Sequence, residues 1–205
     1  MSESEKGTLE NIHTAAKKEF LEKGFKSASL RSIVKTAGVT TGAFYGYYKS
    51  KEELFDALVK EQYDVFMKMF TGAQDEFAKQ TPENQRVNMG EYSGKQMMEM
   101  TKYAYDNIDA FKLLLCCSEG TRYENMVHDM VEIEVNATHA FAKTMEGLGL
   151  PEYTVDPYLE HMLVSGMFTA FFELIIHDVP YERAKIYVKE LKEFHIAGWR
   201  KIMGF

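Results

Sequence analysis

Between Ser29 and Phe55 the chain reads S-L-R-S-I-V-K-T-A-G-V-T-T-G-A-F-Y-G-Y-Y-K-S-K-E-E-L-F. Its hydroxyls, small residues and lysines stand at spacings suited to a phosphate backbone and to base edges. Thr40, Thr41, Gly42, Tyr45, Gly46 and Tyr47 are expected on the outer face of one short helix. Such a face can approach a major groove closely, with hydroxyls free to bond bases or phosphates. Lys51, in the first turn of the following helix, suits a phosphate. Ser29, at the head of the preceding helix, completes the candidate set.

Three short elements must hold that face. Ser29 is an N-cap, and Leu30, Ile33, Val34 and Ala37 follow at the steps of one helical face. Gly38 stands where a left-handed residue ends a helix, and Val39 is the apolar residue that pins the turn. Thr40 or Thr41 caps the second helix, whose Ala43 and Phe44 are expected to point inward. Ser50 with Glu53 reads as a capping box that opens a third helix. This is the pattern of a helix-turn-helix.

The run A-G-V-T-T-G-A-F-Y-G-Y-Y-K-S-K-E-E-L resembles the DNA-binding signature of the TetR/AcrR family of bacterial transcriptional regulators, over roughly residues 8–58. The resemblance implies a homodimer that binds a palindromic operator on double-stranded DNA and releases it on binding a small molecule, as a repressor does. By position, Thr40, Thr41 and Tyr45 match family residues that meet DNA. Tyr47 stands where a His or Tyr is frequent, and Lys51 matches a phosphate-contacting Lys. Ala28 departs from a common Thr, and Gly46 from a larger side chain.

Charge is divided in the same sense. The chain of 205 residues carries a net charge of -7, which argues against a general nucleic-acid coat protein. Residues 1–51 hold eight lysines and one arginine against five glutamates, a local +4, which leaves -11 for the rest. The basic end can meet phosphate while the acidic remainder stays clear of it. The N-terminus has no apolar run of the kind a signal or transit peptide carries. The most apolar stretch, Met162 to Phe172, is eleven residues, short of the roughly 20 that span a bilayer. Adjacent Cys116 and Cys117 do not bridge readily to each other and suit a reducing compartment. No membrane partner and a cytoplasmic location are the expectation.

The rest of the chain reads as helix, with no strand pattern: an all-α fold of about nine helices. A three-helix DNA-binding domain is expected over 1–52 and a helical effector-binding and dimerisation domain over 53–205. A first helix of about residues 8–23 carries the stripe Leu9, Ile12, Ala16 and Phe20 and stops at Gly24. The helix opening at Lys51 continues for about seven turns, too long for fifty residues to bury, and so is a natural lever between domains. Further helices are expected over about 83–107, loosened early by Gly90 and Gly94, and over 109–117 and 122–148. The last two, about 155–177 and 181–203, are joined by a short turn and read as antiparallel neighbours. The first of this pair is apolar nearly all round and needs cover on two sides, which a second copy supplies by pairing through the last two helices.

Thirteen methionines and 27 aromatic residues suit a cavity for a small apolar or aromatic effector, though the same stripes suit plain core. Polar groups set among apolar ones, Tyr103, Cys117, Tyr123, His128 and His161, with Phe168, are the candidate lining. There is no H-E-x-x-H, G-x-S-x-G, phosphate-cradling loop or Cys-x-x-Cys, so no enzyme, cofactor or metal is expected. His128 with Glu132, or Cys116 with Cys117, does not complete a metal set. The other reading is an interaction protein that uses the same scaffold to bind a protein partner.

Overall fold

The computed structural model describes residues 3–204, so the chain ends Met1 and Phe205, outer bounds of the two expected domains, lie outside it. Among the described residues there are nine helices and no strand. They are α1 (Glu3–Ser27), α2 (Leu30–Thr36), α3 (Thr41–Tyr45), α4 (Lys51–Ala78), α5 (Pro82–Asp106), α6 (Ile108–Cys116), α7 (Met126–Gly147), α8 (Pro157–Ile176) and α9 (Tyr181–Met203). They divide into two compact units. One comprises Met1–Asp64 and Asn107–Glu124, the other Val65–Asp106 and Asn125–Phe205.

The first unit is built around phenylalanines. Gly24 breaks α1 at a φ of 71°, which turns Phe25 back into the core. Its ring stands 5.9 Å from Phe20 and 5.3 Å from Phe55, and Phe20 and Phe55 meet edge to face at 5.1 Å. Ile12, Ile33, Phe44 and Leu54 complete this core with Phe111 and Leu113 of α6. Lys17 pairs with Asp109 at 3.1 Å and Lys26 with Glu119 at 2.9 Å, both exposed. Such solvent-screened pairs contribute little, whereas burying one phenylalanine contributes roughly 1.5–3 kcal/mol, so apolar packing is what draws α6 to α1. The turn after α6 is fixed by Tyr123, which is buried beside Phe55 and Tyr63. Its hydroxyl donates to Asp56 at 2.5 Å, and Arg122 reaches the same carboxylate oxygen at 2.6 Å. Residues 122–125, expected in the next helix, belong to this turn, and α7 starts at Met126.

In the second unit α5 runs without a break, so Gly90 and Gly94 do not loosen it. They sit where α9 crosses. A Cβ on Gly90 would lie 3.0 Å from Ile196 Cδ1, and one on Gly94 would lie 2.5 Å from Lys192 Cδ. Small residues here let two helices approach closely.

Asp156 caps α8 by accepting from the N–H groups of Tyr158 and Leu159. Buried Glu160 accepts from Tyr153 Oη at 2.8 Å and lies 2.7 Å from His139 Nε2. By length and composition α8 could cross a membrane. In this fold Val164, Phe168, Phe171, Phe172 and Ile175 are buried within the unit, while Tyr158, Leu159 and Met162 remain exposed.

Candidate functional site

The outward face of α3 is set by two caps and one anchor. Ser29 Oγ accepts from the Ser32 N–H at the head of α2 (3.4 Å), which resolves into an extended residue followed by helix. Gly38 takes a φ of 69°, and the Val39 N–H returns to the carbonyl of Val34. Of the two threonines it is Thr40 that caps α3, its Oγ1 accepting from Ala43 N–H at 3.1 Å. A threonine cap contributes about 1 kcal/mol, a large share of what can hold a five-residue helix together. The rest comes from Phe44, which is fully buried and stacks edgewise on Tyr45 at 5.5 Å.

Ala43, expected inward, is exposed. With one turn of helix only Phe44 can reach the core. Thr40, Thr41, Gly42 and Tyr45 are exposed, with Tyr45 53% accessible. Their polar groups and the Gly42 backbone form one free surface.

Two members of the sequence-derived set are committed inside the protein. Tyr47 is half-buried, and its hydroxyl donates to the carbonyl of Glu5 at 3.3 Å. The Lys51 ammonium donates to the carbonyls of Phe25 at 2.6 Å and Ala28 at 3.1 Å, and stands 4.4 Å over the Phe25 ring. There it satisfies carbonyls left open where α1 ends. The Ser50–Glu53 box forms with one change: Ser50 Oγ accepts from Glu53 N–H, while the Glu53 carboxylate reaches past Ser50 to the N–H of Lys49.

Behind this face lie residues that the sequence pattern does not single out. Glu19 of α1 is buried, and its carboxylate accepts from Ser29 N–H at 3.0 Å, Ser32 Oγ at 2.8 Å and Lys23 Nζ at 2.7 Å. The lysine and serine donors hold its pKa at about 2, against an ordinary 4.5. A negative charge at the start of α2 also suits the helix dipole. His13 Nε2 and Tyr48 Oη are 2.5 Å apart and tie α1 to the residues after α3. Burial and nearby Lys17 lower the pKa of His13.

The second unit holds a cavity of about 200 Å³ walled by α4, α5, α7, α8 and α9. Of the candidate effector contacts only Phe168 lines it. Tyr103, His128 and His161 belong to this unit but not to the lining, and the two histidines are exposed, their rings 6.4 Å apart. Cys117 and Tyr123 are buried in the first unit, where burial raises the thiol to about 11 and the phenol to about 12. A thiol so raised is a weak nucleophile. The lining instead brings in Gln74, Glu134, Lys192, His195 and Trp199. One signal could have found Glu134: it stands four residues after Met130 and seven before Phe141, a lone carboxylate inside the apolar stripe of α7. Among the described residues no three His, Cys, Asp or Glu side chains gather to hold a metal.

Comparison with known proteins is consistent with this geometry. Residues 12–58 match the model of bacterial regulatory proteins of the tetR family. Over 60 residues the chain is 38% identical to the Transposon Tn10 TetC protein of Escherichia coli, covering 29% of this chain and 30% of that protein. The chain thus spans under a third of the length of such curated relatives. A TetR-like transcriptional regulator from Rhodococcus sp. RHA1 superposes with a TM-score of 0.57 at 16% identity, covering 97% of both chains. A TetR-family member from Streptomyces coelicolor A3 gives 0.57 at 19% identity, over 94% of this chain and 89% of the other. At these identities the likeness is one of fold.

Proposed function

We propose that this chain, a DNA-binding transcriptional regulator of the tetR family by its first domain, works as a homodimeric repressor in the cytoplasm that leaves a palindromic operator when a small molecule enters the second unit. The observation that carries this reading is the exposed face of α3. Thr40, Thr41, Gly42 and Tyr45 stand outward on a helix fixed by the Thr40 cap and by buried Phe44. Nothing in the described structure consumes those side chains beyond the cap itself. Base choice is assigned to Thr40, Thr41 and Tyr45. Phosphate contacts are assigned to Ser29, the Gly42 backbone, Tyr47 and Lys51, the last giving up its carbonyls on α1 to make them.

Pairing is assigned to the last two helices. Tyr158, Leu159 and Met162 of α8 and Ile186 and Phe194 of α9 are large apolar side chains left exposed, and a second copy of the same surface would cover them by two-fold symmetry. The effector is assigned to the cavity, whose wall includes Phe70, Gln74 and Phe77 of α4. The same helix begins at Lys51, directly after α3. A ligand that shifts α4 therefore acts on an element continuous with the DNA-binding unit, and half-sites about one duplex turn apart, roughly 34 Å, tolerate little change in the distance between two recognition helices.

The test is selection of the purified protein against a random duplex library at near-physiological salt. Enrichment of a short inverted repeat is expected, and absence of any enriched motif from a folded dimer would overturn the reading in favour of a protein partner. On the enriched site, Tyr45→Ala should weaken binding about 10–100-fold with the thermal transition unchanged, since the ring is half exposed.

A further inference from the structure

The cavity of the second unit contains one group that a purely apolar chamber does not need. Its volume of about 200 Å³ exceeds the roughly 150 Å³ that accepts a benzene ring elsewhere, so it suits a body of one or two rings. Phenylalanines, methionines and Trp199 make up most of the wall. Glu134 of α7 opens into this space. Among the described residues its carboxylate receives one hydrogen bond, from Gln74 Nε2 to Oε2 at 2.5 Å. Among the described residues the buried carboxylates are better furnished: Glu19 has three donors, and Glu160 has a tyrosine and a histidine. A carboxylate has room for about four hydrogen bonds; the protein supplies one at Glu134, which is only partly buried, and the rest of its capacity is open to the cavity.

The remaining groups of the chamber do not supply them. Neither α4 nor α8 places a titratable residue in the lining, and Glu134 is the only one from α7. From α5 comes Tyr92, whose hydroxyl donates to Glu76. From α9 come His195, which burial keeps below its ordinary range and hence neutral near pH 7, and Lys192. The Lys192 chain lies across Gly94, and no ion pair joins it to Glu134. Burial raises the Glu134 carboxyl from an ordinary 4.5 to about 7. The free protein thus holds this group within reach of either protonation state at neutral pH, with acceptor capacity open to an aromatic-walled cavity.

Resting on the reading of this cavity as the effector site, we propose that Glu134 is the anionic subsite for a protonated amine carried on an aromatic or alicyclic body. The ammonium supplies the donors that the carboxylate lacks, and Phe and Trp faces add cation–π attraction. A ligand carboxylate would meet a second negative charge and is disfavoured. Binding of the ammonium requires the ionised carboxylate, so well below pH 7 each binding event releases close to one proton from Glu134 to solvent.

Isothermal titration of the full chain with 1-naphthylmethylamine, 1-naphthalenemethanol and 1-naphthoic acid separates charge from shape, because the three share one ring body. The amine should bind at least about tenfold more tightly than the alcohol at pH 7.5, and the acid most weakly. Its affinity should rise about tenfold per pH unit from 5 towards 7 and then level off. Glu134→Gln should abolish both the preference and the pH slope and still bind the alcohol, which shows the chamber intact. Equal binding of amine and alcohol, or a preference or slope that survives in Glu134→Gln and so belongs to His195 or Lys192, overturns the subsite while leaving the cavity reading in place. Binding of none of the probes by either protein overturns the subsite and the effector reading together.

Discussion

Two carboxylates, one in each unit, are handled in opposite ways. Glu19 stands among donors on three sides, and its pKa is held at about 2. Glu134 has a single neutral amide and is pushed up to about 7. Glu19 is buried and Glu134 partly buried, and burial opposes the charged form of both; at Glu19 the donors outweigh it and at Glu134 they do not. What differs is how many partners the fold supplies. A carboxylate whose partners are all internal is a structural joint: Glu19 fixes the head of α2 to α1 and so fixes the platform on which α3 is displayed. A carboxylate left short of partners is costly when charged, and a fold that keeps it beside an apolar cavity has left its partner to come from outside.

The largest effect expected from this contrast is on the first unit. Glu19→Ala removes three hydrogen bonds to a charged group, two of them from the α2 cap region, and should cost about 2–3 kcal/mol in denaturant unfolding. The pH dependence has a definite sign. The folded pKa of Glu19 lies below its ordinary value, so its contribution is complete above pH 4.5 and is lost as pH falls towards 2. The variant should therefore lose less between pH 5 and pH 2.5 than the parent does. Equal slopes would mean that Glu19 is not the joint.

Glu134 should behave with the opposite sign and a smaller size. Its folded pKa lies above the ordinary 4.5, so the native state binds more protons than the unfolded chain between pH 4.5 and 7, and stability falls as pH rises through that window. Glu134→Gln removes that cost. The variant should be more stable than the parent by about 1–2 kcal/mol at pH 8 and indistinguishable from it at pH 4. Substitution of a joint does not stabilise, so a loss at pH 8 would place Glu134 in the same class as Glu19 and end the contrast.

Much of the display surface was legible in the sequence because its signals are local. Ser29, Thr40 and Ser50 cap within three residues of themselves, and Gly38 turns the chain where it stands. Phe44 is the apolar residue of a helix too short for a second. Glu19 was not legible, because a glutamate among lysines on α1 looks like a solvated face, and its partners come from ten and thirteen residues further on. Nor was the return of residues 107–124 to the first unit, which depends on packing between segments about ninety residues apart. The cavity defeated pattern reading for a related reason. A helix stripe that faces a void and one that faces core have the same period, so His128 and His161, polar points on apolar helices, drew attention, yet they lie at the surface. Which face of α7 looks inward is settled by five helices together.

The smallest effect is the sharpest on the comparison itself, because it removes one donor from each carboxylate. Gln74→Leu takes from Glu134 the one hydrogen bond that favours its charged form, so its pKa should rise further. The added cost should appear at pH 8, at about 0.5–1 kcal/mol, and shrink towards pH 5, where the carboxyl is protonated in both proteins. Ser32→Ala takes one of three donors from Glu19, and the charged Lys23 and the Ser29 N–H stay in place, so the acid limb of its unfolding curve should move by less. The two shifts can be read side by side from urea titrations at a series of pH values. A greater response at Glu19 than at Glu134 would mean that the number of partners does not decide how a withdrawn carboxylate behaves here, and the case for an external cation at Glu134 would lose its physical ground.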